Sequence, residues 1–588
     1  MYAFFKKYEY WIVALIVALP YLFAYNIWDH GYRDTDCYIH AWRAYELFQT
    51  HHWSEQILMK SNYPFGEVIH YTRFMDVLWI ILALPLMLLY PVKEAIFNAG
   101  ILFQPFIAVL TACALVWALR PYFNVFLRLF GVVLFFCLPI ISQIYVFSRP
   151  DHHTIVACLT CLIMGWLLRY VKNPDLKLIK YAGIASGIML WTSIEGLLVS
   201  YAFLAAMFIL WIFADHRLDQ ARTFVKYYFL TSCACLLVNP PYESLFHADN
   251  GRISVLTEAI IGLTWLSIEA CRKLESKGRL KNWLYRGGAL GILAVASAGA
   301  VIAVFGFRTV FGNPFTPEIE AWSSSVAELM SGGKNLGLFL TFAVHPTAAL
   351  ALMIFFFTPK NKEYFLFTAC PLLFFTVLIY TSGIRFSQHS SVFVVFAVLY
   401  CLNALGARLF KNHAPAQNNA LWCGWAYLAC AAVSAVILNA EQNQTMHGMR
   451  SSFSYLSKPY IPYLSKKQGS ILTRVFDGSE IIWTTERPVI ATPNHRNIDG
   501  IVDTYGIFFS NDMNKVKNLL KKRQVATIMI PANVFNLNPL KPPRNDDFAV
   551  RLVTGKGLPC GVELERNLPV HMQETYVIYH VDMSLCPP

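Results

Sequence analysis

The stretch NAGILFQPFIAVLTACALVWA, Asn98 to Ala118, runs 21 residues without one charged side chain. At about 1.5 Å of rise per residue, a helix of that length crosses the roughly 30 Å hydrocarbon layer of a bilayer. Arg120 follows almost at once, and a second apolar run occupies 124–146. Working outward from this pair, the same pattern recurs at 10–28, 154–170, 179–193, 196–213, 227–241, 253–270, 287–307, 337–357, 364–381, 388–408 and 420–439. About thirteen spans are therefore expected. The run 76–91 is apolar but short and carries Pro85, so it is expected to be interfacial or re-entrant. Of the 588 residues 56% are hydrophobic and 14% charged, against about 25% charged in soluble domains. The mean hydropathy of +0.44 makes the apolar bias global. The expected fold class is a polytopic α-helical membrane protein. Phe, Tyr and Trp are abundant, as suits rings that sit at membrane interfaces.

Charge sets the expected orientation, because short loops rich in Lys and Arg stay on the cytoplasmic side. Lys6 and Lys7 precede the first span. Arg120 and Arg128 mark the next basic turn, then Lys172, Lys177 and Lys180, then Arg217, Arg222 and Lys226. Arg272, Lys273, Lys277, Arg279 and Lys281 follow, then Lys360 and Lys362, then Arg408 and Lys411. Every second loop is basic, which predicts a cytoplasmic N-terminus and requires that 76–91 does not span. The apolar stretch after Glu9 lacks a small-residue cleavage site and reads as the first span. A net charge of +12 distributed in this way points to anionic lipid and away from nucleic acid.

Two units are expected: a membrane part over 1–440 and a soluble tail over 441–588 on the extracytoplasmic side. Runs such as Val525 to Ile530 and Tyr576 to Val581 read as strands. The tail is therefore expected to be a small α/β or α+β domain. Of the 14 cysteines most lie in apolar segments, where Cys acts as a small hydrophobe. Cys560 and Cys586 lie in the tail and can pair if it faces an oxidising compartment. No internal repeat and no low-complexity stretch stands out.

Acids in a membrane protein are costly unless they face water, an ion or a partner, so their positions guide the search for a site. Asp34 and Asp36 lie in Arg33-Asp34-Thr35-Asp36-Cys37-Tyr38, just after the first span. Oxygen ligands one residue apart suit a hard cation; the plain alternative is a solvated loop. Ser148-Arg149-Pro150-Asp151-His152-His153 opens a later span, with two ring nitrogens beside a carboxylate. The plain alternative there is that Asp151 caps the helix. Ser325-Val326-Ala327-Glu328 lies in the loop 308–336, which is too long for a mere connector. Arg385 in Gly383-Ile384-Arg385-Phe386 sits between two spans, where it either snorkels or clamps a phosphate through its planar fork. Glu195 lies in another turn on the same expected side. His495 and Arg496 in the tail read as a turn that can also touch an acceptor.

In this order the four elements resemble those of the oligosaccharyltransferase catalytic subunit and its GT-C-fold relatives. Asp36-Cys37-Tyr38 matches the D-x-Y element of the first outer loop. Asp151-His152-His153 resembles the second acidic motif, and Ser325-Val326-Ala327-Glu328 the SVSE or TIxE element of a later outer loop. Arg385-Phe386 is similar to the arginine that meets the lipid phosphate. The resemblance covers about 1–440 and includes thirteen spans with an inside N-terminus. The chain also looks like a group of uncharacterised bacterial membrane proteins through Tyr63-Pro64, Thr72-Arg73 and Ala491-Thr492-Pro493-Asn494-His495-Arg496-Asn497. One departure stands out. The WWDxG motif of protein N-glycosylating members is missing, and the nearest stretch is Trp483-Thr484-Thr485-Glu486-Arg487. That argues against an Asn-x-Ser/Thr acceptor.

The resemblance implies an inverting, metal-assisted transfer of a sugar or oligosaccharide from a polyprenyl phosphate or diphosphate carrier at the outer membrane face. It assigns Asp36, Asp151 and Glu328 to catalysis. With His153 these three would hold Mg²⁺ or Mn²⁺. Arg385 would bind the lipid phosphate. Asp34, Tyr38, Arg149, His152 and Glu195 are secondary candidates. Asp36 can alternatively serve as general base. A bacterial inner membrane with a periplasmic tail is the expected location. The acceptor stays open among glycan, lipid and protein. A transporter or flippase of lipid-linked sugar would share the spans and the phosphate-binding arginine, but the inverted repeats and broken helices of transporters are not evident. A membrane assembly factor would leave the paired acids unexplained.

Overall fold

The computed structural model describes residues 2–26, 31–213, 218–312, 316–323, 326–334, 336–409, 458–464, 468–538 and 542–586. The first helix, α1, spans Tyr2–Asn26. The segment that follows folds into α2 (Thr35–Thr50), a hairpin of β1 (Ile57–Leu58) and β2 (Glu67–Val68), and α3 (Arg73–Ala83). Long helices come next: α4 (Val92–Leu119), α5 (Val125–Cys137), α6 (Pro139–Ile144), α7 (His152–Lys172), α8 (Leu176–Thr192), α9 (Glu195–Phe213), α10 (Leu218–Val238), α11 (Val255–Ser276) and α12 (Trp283–Phe305). The short turns α13 (Phe307–Phe311), α14 (Glu320–Ser323) and α15 (Leu336–Leu338) lead into α16 (Val344–Phe355), α17 (Lys362–Thr381) and α18 (Ser387–Leu409).

Each expected span from 10–28 to 388–408 coincides with helix over most of its described residues, and the expected span 420–439 lies outside the described residues. Among the described residues, eight helices are long and apolar enough to cross a membrane by length and composition. The protein is multi-pass. The expected span 124–146 is divided into α5 and α6, because Pro139 cannot donate to the ladder and holds Leu138 extended (φ −64°, ψ 134°). Helix α3, at 11 residues, is about 16 Å long and too short to cross. Its Asp76 is buried and ion-paired to Arg43 of α2 (2.7 Å) and to Arg73 (3.0 Å), which ties the first loop into one packed unit.

Side-chain caps start several helices: Asp34 accepts from the backbone of Asp36, Asp151 from that of His153, and Asn124 from that of Leu127. Between helices, small residues permit close approach. A Cβ added to Gly183 of α8 would lie 2.5 Å from the carbonyl oxygen of Phe224 in α10. Backbone cannot yield as a side chain does, so Gly183→Ala is expected to destabilise the bundle by about 1–3 kcal/mol. Gly291→Ala in α12, whose added Cβ meets nothing within 4 Å, is expected to leave stability unchanged. Thermal unfolding of the two variants in detergent checks the contrast.

The tail carries a four-stranded sheet in the order β3-β4-β6-β5, with β3 Ser470–Leu472, β4 Val525–Pro531, β5 Val562–Leu564 and β6 Tyr576–Val581. β3 runs parallel to β4, and the other pairs are antiparallel, with Thr527 opposite His580. Helices Gly478–Thr485, Ile498–Phe508 and Met513–Lys522 accompany it. The two strands read from the sequence are β4 and β6. Cys560 and Cys586 are paired, with Cα atoms 5.4 Å apart.

Candidate functional site

The turns before α2, before α7, between α8 and α9, and between α17 and α18 all meet at one end of the bundle. Arg149, just ahead of α7, is the hub. Its Nε donates to Asp34 Oδ2 at 2.9 Å. Its Nη2 lies 2.7 Å from the same oxygen, 3.3 Å from Glu328 Oε1 and 3.8 Å from Asp151 Oδ2. One guanidinium thus joins three of the sequence elements. Glu328 reaches it from a short turn seated on Gly383: a Cβ there would lie 2.7 Å from the Glu328 carbonyl oxygen, and φ is +153°. Ile384 N–H donates to Met330 O at 2.9 Å and holds the Arg385 turn against the Glu328 turn. Ser325 lies outside the described residues.

Asp151 both caps α7 and stays in the cluster, so capping leaves its carboxylate within reach of Arg149. Asp151, His152 and His153 offer ligand atoms within 4.8 Å of one another. Asp36 lies in the first turn of α2, and the Tyr71 hydroxyl donates to its Oδ2 at 3.4 Å. Burial, then the charges of Asp34, Glu328 and Asp151, push the Asp36 carboxyl well above the usual carboxylate range. Asp34, Asp151 and Glu328 share one close guanidinium and Asp36 stands near them, so the cluster is short of positive charge. A cation held by two or three carboxylates and an imidazole fits that deficit and the oxygen-rich donor set. Tyr38 instead packs its ring 5.0 Å from Tyr32 and accepts from the Tyr32 backbone N–H at 3.0 Å.

A second, drier network adjoins the first. Glu195 opens α9 and is buried. It accepts from His389 Nε2 at 2.6 Å and from Gln388 Nε2 at 3.2 Å, and lies 3.4 Å from His153 Nδ1. Gln388 Nε2 and His153 Nδ1 are 2.9 Å apart, so Nδ1 is engaged by the bundle and Nε2 is the nitrogen left for a ligand. Arg385 Nε pairs with Glu195 Oε1 at 3.7 Å, yet that buried nitrogen has no hydrogen-bond partner among the described residues. Removing the charge at Glu195 strips a buried acceptor from two polar side chains, His389 and Gln388. Glu195→Gln is therefore expected to cost about 2 kcal/mol, read as a lower midpoint of thermal unfolding.

No protein-family model and no curated protein matches the sequence. Solved structures do. The archaeal oligosaccharyltransferase AglB from Archaeoglobus fulgidus, in complex with an inhibitory peptide and a dolichol-phosphate, matches with a TM-score of 0.68 at 13% identity, over 91% of this chain and 71% of its own. An Archaeoglobus fulgidus oligosaccharyltransferase in complex with zinc and sulfate gives a TM-score of 0.65 at 13% identity, over 89% and 68% of the two chains. This chain has an oligosaccharyltransferase fold. It is a GT-C-type membrane bundle with a C-terminal globular domain, and at such identity the likeness is one of fold.

Sequence reasoning brought Asp34, Asp36, Arg149, Asp151, His152, His153, Glu195, Glu328 and Arg385 to one region of this fold. It missed Tyr71, Gln388 and His389, and it missed His40 and His70, whose rings lie 4.6 Å and 4.2 Å from that of Tyr71. Gln388-His389 did carry a signal: adjacent polar residues at the head of an apolar span. Tyr71 carried none.

Proposed function

We propose that the protein transfers a sugar or oligosaccharide from a polyprenyl phosphate or diphosphate carrier to an acceptor at the extracytoplasmic face of a bacterial inner membrane. The observation that carries this reading is the convergence of the acids on Arg149 with Arg385 close by, within an oligosaccharyltransferase fold. The archaeal proteins of the same fold were solved with a dolichol-phosphate and with zinc and sulfate, which favours a phosphate-bearing lipid and a divalent cation here too. Asp36, Asp151, His153 and Glu328 would hold the cation, with His152 beside them, and Mg²⁺ or Mn²⁺ suits such donors. Bound there, it would supply Lewis-acid stabilisation of the departing phosphate.

The chain's own groups account for the rest. Arg385, whose Nε side is held beside Glu195, would offer the rest of its guanidinium to a lipid phosphate. Asp36, which receives the Tyr71 hydroxyl, is the alternative general base for an acceptor hydroxyl where it does not hold the cation. His153 is oriented through Nδ1 by Gln388 and Glu195. Transfer is proposed to invert the anomeric centre, as attack opposite the departing phosphate requires. The alternation of basic turns supports a cytoplasmic N-terminus, and the Cys560–Cys586 pair supports a periplasmic tail.

The test is the pool of polyprenyl-linked sugars in cells lacking the protein. The pool is expected to rise on deletion and to return to normal when the wild-type protein is restored. A pool that does not change on deletion would overturn the reading and favour a transporter or an assembly factor.

A further inference from the structure

The first loop and the tail are joined at a point that neither the acid cluster nor the phosphate clamp uses. Glu67, in β2, is 2% exposed. Its carboxylate accepts from Thr492 Oγ1 at 2.7 Å, from Asn494 Nδ2 at 2.5 Å and from Asn497 Nδ2 at 3.1 Å, all in the tail, and also from Ser61 Oγ of its own loop. Ser61 in turn lies 3.0 Å from Thr492 Oγ1 and accepts from Asn497 Nδ2 at 2.9 Å. Backbone bonds flank this knot: Val489 N–H donates to Lys60 O at 2.8 Å, and Tyr63 N–H to Val489 O at 3.2 Å. Arg523 of the tail donates to Asn62 Oδ1 at 2.7 Å. Asn497 also caps the helix that begins at Ile498, so the knot fixes where that helix starts.

Buried polar knots of this kind add little net stability, since each group gives up water to enter them. What they fix is register: any other docking strands a carboxylate among unpaired donors. The register fixed here sets one residue. His495 lies between Asn494 and Asn497, and its ring centre is 4.6 Å from that of His70. His70 touches Tyr71, whose hydroxyl reaches Asp36, so contacts run unbroken from the tail to the acid cluster. On its other side Arg496 is clamped by Asp249, with Nη2 2.6 Å and 2.7 Å from the two carboxylate oxygens. Burial, then Arg496 and Arg385, push the His495 imidazole down to about 4, so it is neutral where it meets His70.

We propose that the tail supplies His495 to the transfer site and that Glu67 is the positioning residue that sets it there. The inference rests on the transferase reading for its kinetic test, but the docking itself can be measured without a substrate. Glu67→Gln keeps the shape and places an amide N–H₂ against the donors. His495→Ala leaves the knot intact. Each is expected to lower kcat/KM for transfer by about 30-fold, within the range that a displaced site group costs. The loss is expected to divide between kcat and KM in the same way in both variants. The double variant is expected to be no worse than either single one. Hydrogen exchange on the full-length protein is expected to show loss of protection at 489–497 in Glu67→Gln and none in His495→Ala. Wild-type kinetics in His495→Ala, or losses that multiply in the double variant, would overturn the proposal. If no transfer from a polyprenyl-linked donor is detected with the wild type, the transferase reading fails, while the exchange data still decide whether Glu67 holds the tail. Unchanged protection in Glu67→Gln overturns the latch.

Discussion

Asp36→Ala is expected to lower transfer by on the order of 10³-fold, the range associated with losing a proton acceptor or a group that stabilises developing charge. Cells that express this variant are expected to keep the high polyprenyl-sugar pool of the deletion. Two observations meet at this one carboxylate. It stands among Asp34, Asp151 and Glu328, whose charges act on it, and it receives the Tyr71 hydroxyl. The protein itself is expected to fold, because the cap of α2 is Asp34 and not Asp36. Asp36→Asn separates the roles: it keeps the size and the hydrogen bond from Tyr71 but neither charge nor basicity. If Asn behaves like Ala, charge or basicity, and not the hydrogen bond from Tyr71, is the property that matters. A variant that restores the normal pool in full would remove Asp36 from the site.

Much of this molecule could be read from its sequence because a bilayer simplifies the rules. Apolar runs near 20 residues must be helical there, since no water satisfies the backbone. That is why α4, α7 and α9 coincide closely with expectation. Where a proline interrupts, as at Pro139 between α5 and α6, hydropathy alone reads straight through the break. The stretch 76–91, which includes most of α3, was recognised as not spanning because it is short and carries Pro85, and the charge alternation requires the same. In the tail, β4 and β6 were legible as runs of β-branched and aromatic residues, but β3 and β5, at three residues each, are too short to show a period.

The site was legible in its charges and not in its neutral groups. Acids and an arginine at helix ends are rare enough in an apolar chain to stand out, so Asp36, Asp151, Glu328 and Arg385 were singled out as candidates. Tyr71 was not, because one more aromatic in an aromatic-rich chain carries no signal. Glu67 is the more instructive miss. As a lone loop glutamate it looks solvated, and its burial depends on Thr492, Asn494 and Asn497, more than 400 residues away in the chain. No local pattern encodes a contact of that separation. The motif around Pro493 was visible as a turn, but what the turn is docked against was not.

Arg149→Met is expected to lower transfer by about 10²-fold, in the range a misplaced reacting group costs, and at the same time to tighten divalent-cation binding. The two outcomes come from different consequences of one change. The guanidinium ties Asp34 and Glu328 together, so its loss frees the turn that carries Glu328. That link is a partly exposed ion pair worth about 1 kcal/mol, enough to blur the placement of Glu328 without abolishing cation binding. The same guanidinium is a positive charge inside the acid cluster. Its repulsion of a divalent ion a few ångströms away is several kcal/mol at an effective dielectric near 20. Repulsion relieved therefore outweighs anchoring lost. Mn²⁺ binding followed by electron paramagnetic resonance is expected to show a lower dissociation constant for Arg149→Met than for the wild type. Arg149→Lys, which keeps the charge but not the fork, is expected to lose activity with no gain in affinity. Weaker Mn²⁺ binding in Arg149→Met would mean that the arginine serves first as the scaffold of the acids, and that Glu328 cannot reach the cation without it.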